Sequence, residues 1–133
     1  MYTPPLARAV TSGIDVMVQS AYMGERPTPE GVLHIHRYEV LIRNTTERDV
    51  QLLWRRWRIA DLAEELQIVE GRGVIGVEPV IRAGTGYSYV SGAVLKSPLG
   101  TMQGRYGFVD LARDEHFDVT IPRFHLEVPW VWN

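Results

Sequence analysis

The chain has no cysteine among its 133 residues. That absence removes disulfides, thiolate nucleophiles, iron–sulfur clusters and cysteine-based zinc sites together. A basic surplus is missing too: fourteen Lys and Arg stand against sixteen Asp and Glu, a net charge of −2. A protein that lives on nucleic-acid backbone carries a positive excess, so the balance argues against a nucleic-acid partner. No apolar run approaches the ~18–20 residues of a membrane-spanning helix. The start, Met1–Arg8, has no basic stretch followed by an apolar one, so the default expectation is a cytoplasmic protein with no membrane partner. There is no low-complexity tract, no internal repeat and no linker-like stretch, and the length matches about one domain at the usual ~150 residues, expected over 1–133. What is there is an ordinary globular balance, 45% hydrophobic and 23% charged residues, with enough chain to build a core unaided.

The hydrophobic period is close to two. Ile14, Val16 and Val18 alternate with Asp15, Met17 and Gln19. His34, His36, Tyr38, Val40 and Ile42 share one face of the next run, with Ile35, Arg37, Glu39, Leu41 and Arg43 on the other. Tyr87 and Tyr89 alternate around Ser88, and Phe117, Val119 and Ile121 around Asp118 and Thr120. Strand side chains point to opposite faces in turn, so these runs predict strands with one buried face. Turn chemistry separates them at residues 26–31, 44–49, 83–86, 97–100 and 113–115. Seven or eight short antiparallel strands at that spacing predict an all-β sandwich. Only residues 61–69 dissent. Leu62, Leu66 and Val69 have helical spacing behind an Asp61 cap, but a turn leading into a strand is the preferred reading.

Three groups of residues carry candidate chemistry. Gly71-Arg72-Gly73-Val74-Ile75-Gly76 matches G-x-G-x-x-G, the phosphate-approaching pattern of dinucleotide folds. That use needs a strand before the glycines and a helix opening at them. Here Pro79 and a β-branched stretch follow, which favours a tight or bulged β connection with positive φ at the glycines. An anion nest formed by Gly71, Arg72, Gly73 and Gly76 is the functional alternative. Next, Trp54, Arg56 and Arg58 fall on one strand face and Arg55, Trp57 and Ile59 on the other. Arg and Trp are enriched where binding energy concentrates, so Arg55, Arg56 and Trp57 form a candidate protein-contact surface. Last, His34 and His36 share a face at a spacing able to hold a divalent cation, although two ligands make a weak site, and a partly exposed structural pair is the preferred reading. The carboxylates show no defensible pairing, the serines lack a nucleophile-elbow context, and no catalytic residue is nominated. Trp130 and Trp132 either pack back on the sandwich or form an exposed adhesive end; packing, with an oligomer interface as one place for it, is the preferred reading.

Read together, the segments resemble the ApaG family. The likeness runs through Tyr38-x-Val40-x-Ile42-x-Asn44 and Val50-Gln51-Leu52-Leu53-x-Arg55-x-Trp57-x-Ile59-x-Asp61. It continues through Val69-x-Gly71-x-Gly73-Val74-Ile75-Gly76-x-x-Pro79 and Gly84-x-x-Tyr87-x-Tyr89-x-Ser91-Gly92. Its last parts are Leu95-x-x-Pro98-x-Gly100-Thr101-Met102-x-Gly104-x-Tyr106 and Phe117-x-Val119-x-Ile121-Pro122-x-Phe124-x-Leu126. The resemblance implies a fibronectin type III-like, immunoglobulin-like β-sandwich without established enzyme activity or cofactor. It implies an association with cobalt and magnesium tolerance and with genes for diadenosine-polyphosphate hydrolysis. A protein-interaction role is implied by multidomain relatives, and a pyrophosphate or nucleotide ligand at Gly71, Gly73 and Gly76 is the alternative. The chain departs from the family pattern at His34 and His36, where aromatic residues are common, and at Arg56, where histidine is usual. The turn after Asp61 also lacks the family's glycine.

Overall fold

A computed structural model describes residues 4–132, the last two by backbone alone. Among the described residues the chain forms nine strands. They are β1 (Ala7–Thr11), β2 (Ile14–Thr28), β3 (Gly31–Asn44), β4 (Val50–Asp61), β5 (Gln67–Arg72), β6 (Val80–Ile81), β7 (Gly86–Leu95), β8 (Leu99–Asp110) and β9 (Glu115–Glu127). A 3₁₀ turn, Pro129–Trp132, follows. The pairing is antiparallel throughout and divides into two sheets. The first has the order β1-β2-β3-β7; the second has β5-β4-β8-β9, with β6 pairing the start of β4 on the same side as β5. The expected β-sandwich is therefore present. The extra strand in the count is β6, two residues long and too short to give a periodic signal.

Alternation decides which residues fill the space between the sheets. Ile14, Val16, Val18, Tyr38, Val40 and Ile42 face inward from the first sheet; Leu52, Trp57, Tyr106, Phe108, Val119, Ile121 and Phe124 do so from the second. Tyr38 meets Trp57 edge-on at 5.6 Å between ring centroids, an arrangement that aromatic quadrupoles favour. The Tyr89 and Tyr106 hydroxyls hydrogen-bond to each other across the gap, so neither buried oxygen is left orphaned.

Two sequence expectations need adjustment. The predicted turn at residues 26–31 is shorter than expected, because β2 runs on through Pro27 to Thr28. Pro27 is tolerated because β1 pairs only with residues 14–18 of β2, so beyond them this side of β2 is a sheet edge. In the 61–69 segment, Asp61 accepts from the Ala63 backbone N–H and closes a turn into β5, without a helix.

β1 and β2 lie against β9 and close one flank of the sandwich. On the other flank, β5 and β7 are both edge strands.

Candidate functional site

The outward face of β4 carries Trp54, Arg56 and Arg58, and register fixes what stands beside each. Trp54 lies between Gly107 of β8 and Arg72 of β5; Arg56 lies between Arg105 and Glu70; Arg58 lies between Gln103 and Ile68. A Cβ on Gly107 would sit 1.9 Å from the Trp54 ring, so the indole lies directly over the glycine. Gly107 thus gives the exposed tryptophan a flat bed on the sheet. A shallow depression of about 490 Å³ opens beside it, lined by Trp54, Arg55, Arg56, Glu70, Gly71, Arg72 and Arg105. A second, of about 280 Å³, adjoins it across Arg56 and Arg105 and includes Arg58.

Arg56 and Arg105 stand directly opposite each other, a like-charge pairing that costs stability unless each charge is compensated. Each guanidinium leans outward to a carboxylate: Arg56 to Glu70 at 3.0 Å and Arg105 to Asp118 at 3.4 Å. Arg72 pairs with Glu78 at 3.1 Å. Arg58 makes no ion pair among the described residues. These are solvent-screened contacts worth little to folding, so the arginines remain open to an outside partner.

The structure brings Arg55, Arg56, Gly71 and Arg72 to one place but removes Trp57 from the surface. Trp57 is 3% exposed and lies among Tyr38, Tyr106 and Phe124 in the core. Of the two β4 tryptophans the exposed one is Trp54, at 36%. The signal was available in the alternation: Trp57 shares its face with Ile59, whereas Trp54 shares its face with two arginines. Arg55 also points to the core side. Its Nη1 donates to the carbonyls of Arg72, at 3.1 Å, and Gly73, at 3.0 Å, beneath β5. Gly71 is the residue that leaves room for it, since a Cβ there would meet Nη1 at 2.7 Å. Arg105 has no local motif and becomes visible only through its register with Arg56.

The remaining glycines of the loop build a hairpin and no helix. Val74 and Val77 exchange backbone hydrogen bonds at 2.8 and 3.0 Å around Ile75 and Gly76. Both central residues have positive φ, 47° and 73°, as a type I′ turn requires. Gly73, with φ 60°, donates to the Leu53 carbonyl at 2.8 Å, the residue bulged out of the β4–β8 ladder. The N–H groups of Gly73, Val74 and Val77 are thus committed to carbonyls, while the Arg72 side chain meets Glu78 only in a solvent-exposed pair.

His34 and His36 are both buried, at 6% and 2% exposure, which corrects the expectation of a partly exposed pair. They face inward because their strand face is the core face. His34 Nδ1 lies 3.2 Å from the Tyr22 hydroxyl. His36 packs edge-on against Tyr22, and its Nε2 has no hydrogen-bond partner among the described residues. Burial, with His34 nearby, lowers its pKa to about 4. Among the described residues no third His, Cys, Asp or Glu joins them to complete a metal-sized cluster. Trp130 packs edge-on against Tyr22 at 5.4 Å while staying half exposed; Trp132 lies outside the described side chains. Among the described residues no helix is long and apolar enough to cross a membrane.

Comparison with known proteins gives one consistent answer. The ApaG domain family profile matches residues 24–110. Protein ApaG of Proteus mirabilis is 37% identical over 123 residues, covering 92% of this chain and 98% of that protein. Protein ApaG of Vibrio cholerae is 41% identical over 120 residues, covering 90% and 94%. An X-ray structure of a Northeast Structural Genomics Consortium target is similar with a TM-score of 0.85 at 36% identity, covering 91% of each chain.

Proposed function

Because the chain belongs to the ApaG domain family, we propose that it is a non-catalytic binding module that holds a protein partner on the outer face of β4, β5 and β8. The observation that carries this reading is the exposed Trp54 indole, bedded on Gly107 and ringed by Arg56, Arg72 and Arg105. A rigid aromatic centre with an arginine rim is the composition in which binding energy concentrates. Three of the arginines are already half-neutralised by neighbouring carboxylates, so the partner's contacting surface is amphipathic, with an apolar group for Trp54 and scattered acceptors for the guanidiniums.

The test is quantitative affinity capture from the source cell with wild type, Trp54→Ala and Arg37→Ala, the last on the exposed face of the other sheet. A protein retained by wild type and Arg37→Ala but reduced at least ~10-fold by Trp54→Ala supports the surface. Equal recovery of every protein by all three baits rejects it. For the pyrophosphate alternative, the Gly71–Gly76 hairpin offers the turn amides of Ile75 and Gly76. Amide shifts that saturate there on adding pyrophosphate would restore that reading over this one.

A further inference from the structure

We propose that the flank between β7 and β5 accepts an extended, uncharged segment of a partner protein as an added strand on β7. The proposal does not rest on the arginine face, which lies on the outer side of the second sheet.

β7 has a free edge. Its register with β3 is unbroken from Gly86 to Leu95, with no bulge to twist it away. Among the described strands it pairs with β3 alone, so alternate residues direct N–H and C=O groups away from the sheet. Such edges are normally blunted by charge, proline or shortness. The others here are: β1 has five residues, the part of β2 beyond β1 carries Glu25, Arg26 and Pro27, β5 has six residues with Glu70 and Arg72 among them, and β9 carries Pro122 with Asp118 and Arg123. β7 has ten residues with no charge and no proline.

Beneath that edge lies a shelf. Val69 of β5 is opposite Trp57 in register and shares its inward face, yet it is 40% exposed where Trp57 is 3%. β5 therefore extends beyond the cover of the first sheet. Leu66, at the start of the shelf, and Val90 and Val94, on the outer face of β7, are exposed as well. At one end the two sheets are tied, where Asp61 at the end of β4 accepts from the Lys96 backbone N–H and the Ser97 hydroxyl just after β7. A strand laid along β7 would pair with its free backbone groups and rest alternate side chains on Val69.

The shelf also decides the occupant. A second copy pairing antiparallel through β7 requires a two-fold axis perpendicular to the sheet. Both protruding β5 strands would then compete for the same space below it. A single extended segment has no second layer and meets no such obstacle. β7 itself carries no charge, and the cation beneath β5, Arg55, is already held by the carbonyls of Arg72 and Gly73, so charged residues facing the shelf would be desolvated without a partner. The fitting ligand is a peptide with β-branched residues at alternate positions.

The probe is a synthetic peptide of four Thr-Val repeats between lysine pairs, titrated into the full chain and followed by amide-resolved NMR. Saturating shifts along β7, with slowed exchange of every second β7 amide, are expected by about 1 mM peptide. The same peptide N-methylated at alternate residues should bind at least ~10-fold more weakly, because it cannot complete the ladder. Val69→Lys, a change at an exposed position, should also weaken binding while leaving the spectrum folded. No shifts at that concentration, shifts centred elsewhere, equal binding of the methylated peptide, or full binding by Val69→Lys would each overturn the proposal.

Discussion

Trp54 and Trp57 sit three residues apart on one strand and have opposite fates, one as core and the other as surface. Parity on the strand assigns the sides, but the neighbours decide what each side becomes. Trp57 finds Tyr38, Tyr106 and Phe124, whereas Trp54 finds the bare backbone of Gly107 and a rim of arginines. His36 is a residue whose side of the strand runs against its chemistry. Its imidazole is held neutral in the core, with a pKa lowered to about 4 from 6.5 by burial and then by His34. The unfolded chain takes up a proton near pH 6.5 and the folded one only near 4. The stability that neutral His36 contributes is therefore intact above 6.5 and falls away as pH drops from 6.5 to about 4, by roughly 3 kcal/mol. His36→Phe, which also removes the unpartnered Nε2, should flatten that loss in urea titrations run at pH 7 and pH 4.5. An acid loss equal to that of wild type would show that other groups govern it.

At the scale of the element, the Gly71–Gly76 segment shows how one sequence pattern is met by unrelated requirements. Gly71 clears space for Arg55, Gly73 turns the chain away from β5, and Gly76 fills the second place of the I′ turn. Ile75 fills the first place at φ 47°, a conformation poorly suited to a β-branched residue. Ile75→Asn should relieve that strain, since asparagine accepts the left-handed region readily. A gain of about 1 kcal/mol, or a rise of roughly 3–5 °C in Tm by calorimetry, is expected. A lower Tm would mean that the exposed isoleucine contributes more through contacts than it costs in backbone strain. The strand character of the long elements was legible from alternation, and so was the turn after Asp61. The extent of β2 was not, because whether Pro27 ends a strand depends on how far β1 reaches along it.

Across the whole molecule, Asp61 joins the sheets. It ends β4 in the second sheet, while its carboxylate accepts from Lys96 N–H and Ser97 Oγ, which directly follow β7 of the first. Burial opposes its ionisation, but the hydrogen bonds from Ser97, Lys96 and Ala63 outweigh that and hold its carboxyl below the usual range. Its contribution is thus present above an ordinary carboxyl pKa and is lost as pH falls below it. Asp61→Ala should cost about 3 kcal/mol in urea unfolding at pH 7, with Asp61→Asn recovering part of it. A loss below ~1 kcal/mol would show that the sheets hold together without this link.

By itself the sequence determined the all-β class, the inward faces of the strands and the likeness to ApaG. All three are properties of local order, because period-two alternation and the succession of segments are written along the chain. Tertiary structure decided that Trp54 is bedded on Gly107, that Arg105 stands against Arg56, and that β5 projects beyond the cover of the first sheet. It also decided how deeply His34 and His36, on the face that alternation already gives as inward, are buried. These are matters of register and of how far one sheet covers the other. Both are fixed by pairing between residues distant in sequence, for which no local pattern is a guide.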